Sequence, residues 1–124
     1  MSYYINRMDP LGAIAVDDTI QVQGAPATAG SRMLEAFLPL FSAEAVTRLE
    51  QAGEKVSGKC RVGEFGLDLL GESSFFGPLL QDGHLAGASA QLVAAGTAKA
   101  ALNVDVNGTP RRAAAVAGVD LIKP

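Results

Sequence analysis

The sequence predicts an α/β fold in which helices cover a sheet. Short runs of β-branched and small apolar residues alternate with stretches whose apolar residues recur at helical spacing. Glycine and proline punctuate the connections between them. This alternation is typical of βαβ units that bury one core between sheet and helices. With 124 residues, the chain has room for a single domain.

The N-terminal third predicts one strand between two irregular segments. Residues 1–10 show no periodicity and are expected to form an irregular lead-in to a single domain over residues 11–124. Residues 13–20 are rich in apolar and β-branched side chains and predict a strand. Gly, Pro, Thr and Ser dominate residues 24–31, which predict a turn-rich connection.

The middle of the chain predicts a helix, a strand and a further short helix. Residues 42–52 carry apolar residues on one helical face, with Ser42 suited to the N-cap and Gly53 to the stop. Residues 55–60 predict a short strand, and the apolar spacing over 64–70 predicts a short helix.

The C-terminal third predicts a loop, two helices and a strand. Residues 77–87 are glycine-rich and predict a loop, and residues 89–98 predict a helix that ends near Gly96. Residues 100–106 predict a strand that leads through a tight turn into an alanine-rich helix. The main-chain N–H groups of Asn107, Gly108 and Thr109 are then expected to converge on a site for an anion or an oxyanion.

Composition excludes several classes of function. The formal net charge is −3 and the pI is about 5.0, which gives no electrostatic reason to expect binding to nucleic acid or to an anionic membrane. The chain is 48% hydrophobic but only 6% aromatic, so its elements must pack closely through small side chains. No apolar run approaches the length of a membrane-spanning helix, and no metal cluster or cofactor motif is present in the sequence.

Cysteine usage favours a reducing compartment. Cys60 is the only cysteine, so no internal disulfide can form. The first seven residues also lack the pattern of a secretory signal. We therefore expect a cytoplasmic protein in which Cys60 is an unreactive strand residue, although Lys59 beside it could lower the pKa of the thiol.

Motifs spread over residues 11–124 resemble the amidase signature family. The run Gly24-x-Pro-x-Thr-Ala-Gly-Ser-Arg-Met-Leu is similar to the family segment after its first strand, and Phe76-Gly77-Pro78 is similar to the approach to its active site. Further positions match the family's nucleophile region without a gap: Asp105, Gly108, Arg111, Gly118, Lys123 and Pro124. The resemblance implies a truncated form of that domain, since family members continue well beyond this point.

The resemblance also implies that two of three catalytic positions are substituted. Members of the family use a Ser nucleophile, a second Ser that bridges, and a Lys that completes the proton relay. The Lys position corresponds to Asp17, the bridging Ser to Leu85 and the nucleophile to Thr109. Only the hydroxyl of Thr109 remains.

Each candidate residue also has a structural interpretation. Thr109 could act as a nucleophile, but a Thr before Pro110 also suits an N-cap. Asp17 and Asp18 could form an acid/base pair or bind a cation, or they could be solvated at the end of a strand. Asp105 and Arg111 are expected to form a structural pair that supports the turn.

His84 offers one alternative relay. It is the only histidine and lies near Asp82 in a segment expected to be exposed. A His–Asp pair could in principle serve as the base for Thr109. The same pair could equally be solvated loop residues.

Three functions follow from these observations. We expect a catalytically silent relative of the amidase family that acts by protein interaction or self-assembly as a homo-oligomer. One alternative is an active amide C–N hydrolase or amidotransferase with a rewired site at Thr109. The other is a module in which the N–H groups of residues 107–109 bind a small amide or carboxylate. No cofactor and no metal are expected in any of the three.

Overall fold

A computed structural model of the chain describes residues 2–68, 73–81 and 84–124. Within these residues a four-stranded mixed sheet packs against helices, which confirms the predicted α/β class. The strands of this sheet and the helices are β1 (Tyr4–Arg7), β2 (Ile14–Asp17), α1 (Glu44–Gln51), β3 (Val56–Cys60), α2 (Ala88–Ala94), β6 (Ala100–Leu102) and α3 (Thr109–Ala117). A separate two-stranded ribbon consists of β4 (Leu80–Gln81) and β5 (His84–Leu85).

The sheet has the strand order β1-β3-β2-β6. Strand β2 pairs in parallel with both β3 and β6, whereas β1 runs antiparallel to β3. The carboxyl ends of β2, β3 and β6 therefore lie along the same edge. In parallel α/β sheets, this edge is where ligand sites commonly form.

The core lies on both faces of the sheet. On one face, Ile14 and Val16 of β2 pack with Val46 of α1. On the other face, Ala15 packs with Ala88 and other residues of α2. The alternation along β2 thus assigns α1 and α2 to opposite faces, as expected for a strand buried on both sides.

Small residues bring α3 close to the segment before α2. A Cβ atom built on Gly87 would lie 2.4 Å from the Cβ of Ala113 in α3, so only glycine permits this approach. Ala113 and Ala114 are both buried on this side of α3. The low aromatic content therefore allows helices and backbone to pack at short range.

A buried ion pair joins β3 to the residue that follows β2. Lys59 Nζ lies 3.0 Å from Asp18 Oδ1, and both side chains are 0% exposed. Asp18 Oδ2 accepts hydrogen bonds from the main-chain N–H and the hydroxyl of Thr28. Lys59 Nζ also donates to the carbonyl oxygen of Pro26 at 3.4 Å. The expectation that Asp18 is solvated was therefore wrong, because the adjacent strand supplies a cation for it.

Main-chain hydrogen bonds also hold the turn-rich connection in place. The main-chain N–H of Ala29 donates a hydrogen bond to the carbonyl oxygen of Asp18. The carbonyl oxygen of Ala29 accepts a hydrogen bond from the main-chain N–H of Phe65. The carbonyl oxygen of Gly30 accepts a hydrogen bond from the main-chain N–H of Phe75. The connection over 24–31 therefore acts as a bridge between the sheet and the segments near residues 65 and 75.

The expected irregular lead-in over residues 1–10 was wrong in part. It contains β1, whose residues pair with β3, and the Tyr4 hydroxyl lies 2.8 Å from Ser57 Oγ. The strand was missed because it is four residues long and carries polar side chains such as Asn6 and Arg7, so that no alternation is visible.

Three elements are shorter than the sequence predicted. Strand β2 ends at Asp17 rather than at residue 20, because the chain turns there and Ile20 N–H donates a hydrogen bond to the carbonyl oxygen of Asp17. Strand β6 ends at Leu102 rather than at residue 106. Helix α2 covers Ala88–Ala94 instead of 89–98.

The helix predicted over 42–52 begins two residues later than expected. Ala43 is the N-cap of α1 and makes no side-chain capping bond. Ser42 Oγ instead accepts a hydrogen bond from Gln23 N–H, so this serine joins two segments. Gly53 adopts a φ of 90° just after the helix, which agrees with its predicted role as the stop.

The helix expected over 64–70 was also wrong. Only Glu64–Gly66 form a short 3₁₀ helix, and Phe65 within it has a φ of 53°. Residues 67–68 are not helical, and residues 69–70 lie outside the described part of the chain. Within the loop expected over 77–87, β4 and β5 form a ribbon too short to leave a pattern in the sequence.

Replacing Lys59 by Met is expected to destabilise the protein by about 3–5 kcal/mol, because it leaves the Asp18 carboxylate buried without a cation. Urea denaturation followed by circular dichroism measures the change. Lys55→Met is the matched control, since Lys55 pairs with Asp9 at the surface and its loss should change the stability far less. Equal effects of the two substitutions would contradict the assignment of Lys59 as an anchor.

Candidate functional site

A cavity opens at the carboxyl ends of the three parallel strands. Asp17 closes β2, Arg61 follows β3 and Asn103 follows β6, and all three line this cavity. Asp68, Ser89 of α2 and Thr109 of α3 add further polar groups to its lining. The cavity volume is about 40 Å³. The structure thus brings Asp17 and Thr109, two of the predicted catalytic positions, to the same cavity.

Asp17 is buried rather than solvated as expected. Its side chain is only 6% exposed. Oδ1 accepts hydrogen bonds from the main-chain N–H of Thr19 at 2.9 Å and from its hydroxyl at 3.0 Å. Burial raises the pKa of Asp17, and the nearby charge of Asp18 adds to the rise, while the bonds from Thr19 and from Val104 N–H oppose it. The strand end is covered by neighbouring segments, which a sequence pattern does not reveal.

The turn before α3 differs from the expected cap. Gly108 is the N-cap, with a φ of 93° that favours glycine, and Thr109 is the first residue of the helix. The Thr109 hydroxyl donates to Asn107 Oδ1 at 2.8 Å and makes no capping bond to the helix. Asn107 Nδ2 in turn donates to the carbonyl of Leu67. The N-cap prediction for Thr109 was therefore wrong by one residue.

Asp105 organises the same turn from the other side. Its Oδ1 accepts a hydrogen bond of 2.7 Å from Gly108 N–H. Its Oδ2 lies 2.7 Å from Arg111 Nε and 3.2 Å from Lys123 Nζ. The expected structural pair between Asp105 and Arg111 is thus present, with Lys123 as a third member.

The hydrogen bonds of this turn leave fewer main-chain N–H groups for the predicted anion site at residues 107–109. Gly108 N–H is already used by Asp105, and Pro110 in the first turn has no N–H to offer. The carboxyl groups of Asp17 and Asp68 also line the cavity. These features disfavour a carboxylate ligand beside Thr109, because like charges repel at short range.

The predicted relay of His84 and Asp82 stays a prediction, whereas the structure describes Cys60. The side chains of Leu85 and His84, and all of Asp82, lie outside the described residues. Cys60 is 1% exposed, and burial raises the pKa of its thiol to about 12, so the thiol stays protonated at neutral pH. In the part of the chain that the structure describes, no group of three or more His, Cys, Asp and Glu side chains could hold a metal ion.

Sequence reasoning missed three cavity residues. Ser89 Oγ donates to Asn103 Oδ1 at 2.6 Å, which joins α2 to the end of β6. Arg61 Nη2 donates to the carbonyl oxygens of Phe76 and Gly77. The sequence could have indicated Arg61 and Asn103 only through their positions. Each follows a strand whose carboxyl end lies at the same edge of the parallel strands, where ligand sites commonly form.

Comparison with known proteins identifies the family. A profile of the amidase family matches residues 13–124. The chain belongs to the amidase family. It is 40% identical over 118 residues to the A subunit of glutamyl-tRNA(Gln) amidotransferase from Anaeromyxobacter sp. (strain K), and 41% identical over 118 residues to the protein of the same name from Haloarcula marismortui. Each alignment covers 90% of this chain, but only 24% and 28% of the respective relatives.

Solved structures of the family share this fold. The crystal structure of the glutamyl-tRNA(Gln) amidotransferase A subunit from Thermotoga maritima aligns with a TM-score of 0.76 and 27% identity, over 93% of this chain and 29% of that chain. The crystal structure of an amidase aligns with a TM-score of 0.65 and 32% identity, over 77% and 24% of the two chains. The chain thus spans about a quarter of the length of these amidase relatives.

The described helices also bear on the membrane prediction. None of them, over residues 2–68, 73–81 and 84–124, is long and apolar enough to cross a membrane.

Replacing Asp105 by Asn is expected to reduce the loss of stability in acid. Burial alone would raise the pKa of Asp105, but the Gly108 hydrogen bond and the charges of Lys123 and Arg111 together lower it below its ordinary value. A carboxyl with a lowered pKa contributes stability above its unfolded pKa and loses that contribution as the pH falls through its folded pKa. The contribution of Asp105 should therefore be complete above its ordinary pKa of 3.8 and be lost as the pH falls through its lower folded pKa.

Urea midpoints measured from pH 7 to pH 2.5 test this expectation. The wild-type protein should lose more stability across the acidic range than Asp105→Asn, which is already less stable at pH 7. Asp120→Asn is the matched control, because Asp120 is exposed. Parallel curves for the wild type and Asp105→Asn would contradict the role of Asp105.

Proposed function

We propose that this amidase-family chain is catalytically silent. The observation that carries the proposal is the hydrogen bond from the Thr109 hydroxyl to Asn107 Oδ1. An amide oxygen is not a base at neutral pH, so this contact orients the hydroxyl without activating it. Asp17, at the position where the family resemblance places the relay Lys, is bonded to Thr19 instead.

The size of the expected deficit supports this proposal. In serine hydrolases, the catalytic residues acting as a unit contribute about a millionfold to turnover, whereas oxyanion donors and binding alone leave roughly a thousandfold over water. Here one of the turn N–H groups is already used by Asp105. We therefore expect at most that residual rate.

We propose that the protein acts instead through an apolar surface. The 33–41 surface comprises the exposed side chains of Met33, Phe37, Leu38, Leu40 and Phe41. Leu40 is 85% exposed and Phe41 69% exposed. An apolar patch of this kind is typical of protein interaction sites, because covering it removes hydrocarbon from water. Self-association through the 33–41 surface, in the cytoplasm, is the form of interaction we propose.

One observation favours a second candidate, an active amide hydrolase with a rewired site. Thr109 and the Asp17 carboxyl line the same cavity. A carboxyl with a raised pKa can serve as a general base near neutral pH when it reaches the nucleophile. In the structure, the hydroxyl is directed to Asn107 instead, so this candidate requires Thr109 to change its rotamer.

Amide hydrolysis assays separate the two candidates. With glutamine, asparagine and acetamide as substrates, the silent protein should release ammonia at a rate that Thr109→Ala does not change. Thr109→Val is the matched control, since it keeps the β-branched shape at the first position of α3. Turnover that both substitutions abolish would contradict the silent protein and support the rewired site.

Sedimentation velocity tests the proposed self-association. The wild-type protein should sediment as a dimer or larger oligomer at micromolar concentration, and Leu40→Glu with Phe41→Glu should produce a monomer, because charged groups at an apolar contact lose their hydration. Ile122→Glu is the control, since Ile122 is 88% exposed outside the 33–41 surface. A monomeric wild-type protein would contradict this proposal without bearing on the catalytic one.

A further inference from the structure

The exposed turn before α3 contains an asparagine followed by a glycine, Asn107 and Gly108. The main-chain nitrogen of a following residue can attack the side-chain amide of an asparagine, which closes a succinimide ring and releases ammonia. A glycine at the following position places no side chain in the path of this attack. Of the three asparagines in the chain only Asn107 precedes a glycine, since an arginine follows Asn6 and a valine follows Asn103.

The attacking nitrogen already has a proton acceptor in place. The main-chain N–H of Gly108 donates a hydrogen bond of 2.7 Å to Asp105 Oδ1. The nitrogen becomes a nucleophile as it loses this proton, and a carboxylate that accepts the N–H is placed to receive it. The other oxygen of Asp105 lies 2.7 Å from Arg111 Nε and 3.2 Å from Lys123 Nζ, and these cations favour the ionised carboxyl at neutral pH.

The carbonyl group that would be attacked already has a hydrogen-bond donor. The Thr109 hydroxyl donates to Asn107 Oδ1 at 2.8 Å. Attack at Cγ of Asn107 places negative charge on this oxygen, and a donor at this distance stabilises such a charge. The leaving nitrogen, Asn107 Nδ2, donates to the carbonyl oxygen of Leu67 at 2.9 Å, which holds the amide in this orientation. Separate groups of the turn therefore serve the nucleophile and the carbonyl oxygen.

We propose that Asn107 is a self-modification site, at which the main-chain nitrogen of Gly108 displaces the side-chain amide and the surrounding turn accelerates the step. A bond forms between Gly108 N and Asn107 Cγ while the bond between Cγ and Nδ2 breaks. The proton of Gly108 passes through Asp105 Oδ1 to the leaving nitrogen, which departs as ammonia. Water then opens the succinimide at either carbonyl carbon and leaves aspartate or isoaspartate at position 107.

This reaction is distinct from catalysis of an external substrate. Each chain releases at most one ammonia, so a protein sample without substrate corrects for it in the amide hydrolysis assay. The Thr109 hydroxyl takes part as a donor and not as a nucleophile, and the inference depends neither on self-association nor on the absence of catalysis. Loss of Nδ2 also removes the donor to the Leu67 carbonyl, so the modified turn is less firmly held to the segment near residue 67.

Peptide mapping by mass spectrometry follows the reaction in the purified protein at neutral pH. The peptide that contains residue 107 should first lose the mass of ammonia and then gain the mass difference between a hydroxyl and an amino group. Chromatography against synthetic standards separates the aspartate and isoaspartate products. Asn6 and Asn103 are internal controls and should remain unmodified over the same period.

Two substitutions test whether the turn accelerates the reaction. Thr109→Val should slow the conversion of residue 107 by at least about tenfold, because it removes the donor to the carbonyl oxygen. Asp105→Asn should slow it as well, because it removes the proton acceptor. Thr97→Val and Asp120→Asn, both at exposed positions, are the matched controls and should leave the rate unchanged. If the turn only restrains Asn107, the first two substitutions would instead speed the conversion.

A second comparison needs no variant and therefore does not depend on the folding of one. Residue 107 of the wild-type protein should convert at least about tenfold faster in the folded state than in urea, since unfolding separates the side chains of Asp105 and Thr109 from the reacting atoms. The proposal is overturned if residue 107 remains asparagine in the folded protein, if it converts as fast or faster in urea, or if Thr109→Val leaves the rate unchanged or raises it.

Discussion

The buried ion pair between Asp18 and Lys59 is the constraint on which the remaining architecture depends. It joins the residue after β2 to β3 and, through Thr28 and Pro26, fixes the connection that follows β2. That connection then holds the segments near residues 65 and 75 by main-chain hydrogen bonds. Water cannot hydrate two charged side chains that are fully buried. Their stabilisation therefore depends on the protein groups that the fold places around them.

The chain has the framework of the amidase family, and we propose that the chemistry of its cavity differs from that of the family. The family resemblance places a cationic relay residue where this chain has Asp17, which reverses the charge at that position. The turn at Thr109 remains ordered by Asp105, while its hydroxyl is directed to an amide. These contacts support the proposal that the chain is catalytically silent, since a fold does not by itself imply a function. We therefore separate what the framework shows, membership of the amidase family, from what the cavity supports.

The sequence predicted the α/β class, the helices α1, α2 and α3 and the positions of β2, β3 and β6, because these have clear periodicity or turn signals. It also predicted the contact between Asp105 and Arg111 and the place of Cys60 in a strand. It could not reveal that Asp17 and Asp18 are buried, since the segments that cover them are distant in sequence. Strand β1 and the ribbon of β4 and β5 left no pattern because these strands are only four and two residues long.

The central claim is that the Thr109 hydroxyl is positioned but not activated. The most direct test is labelling with a fluorophosphonate probe that phosphonylates activated hydroxyl groups, followed by intact-protein mass spectrometry. Our account predicts that the folded protein keeps its unmodified mass under conditions that fully label an active serine amidase. A stoichiometric adduct that peptide mapping assigns to Thr109 would contradict it.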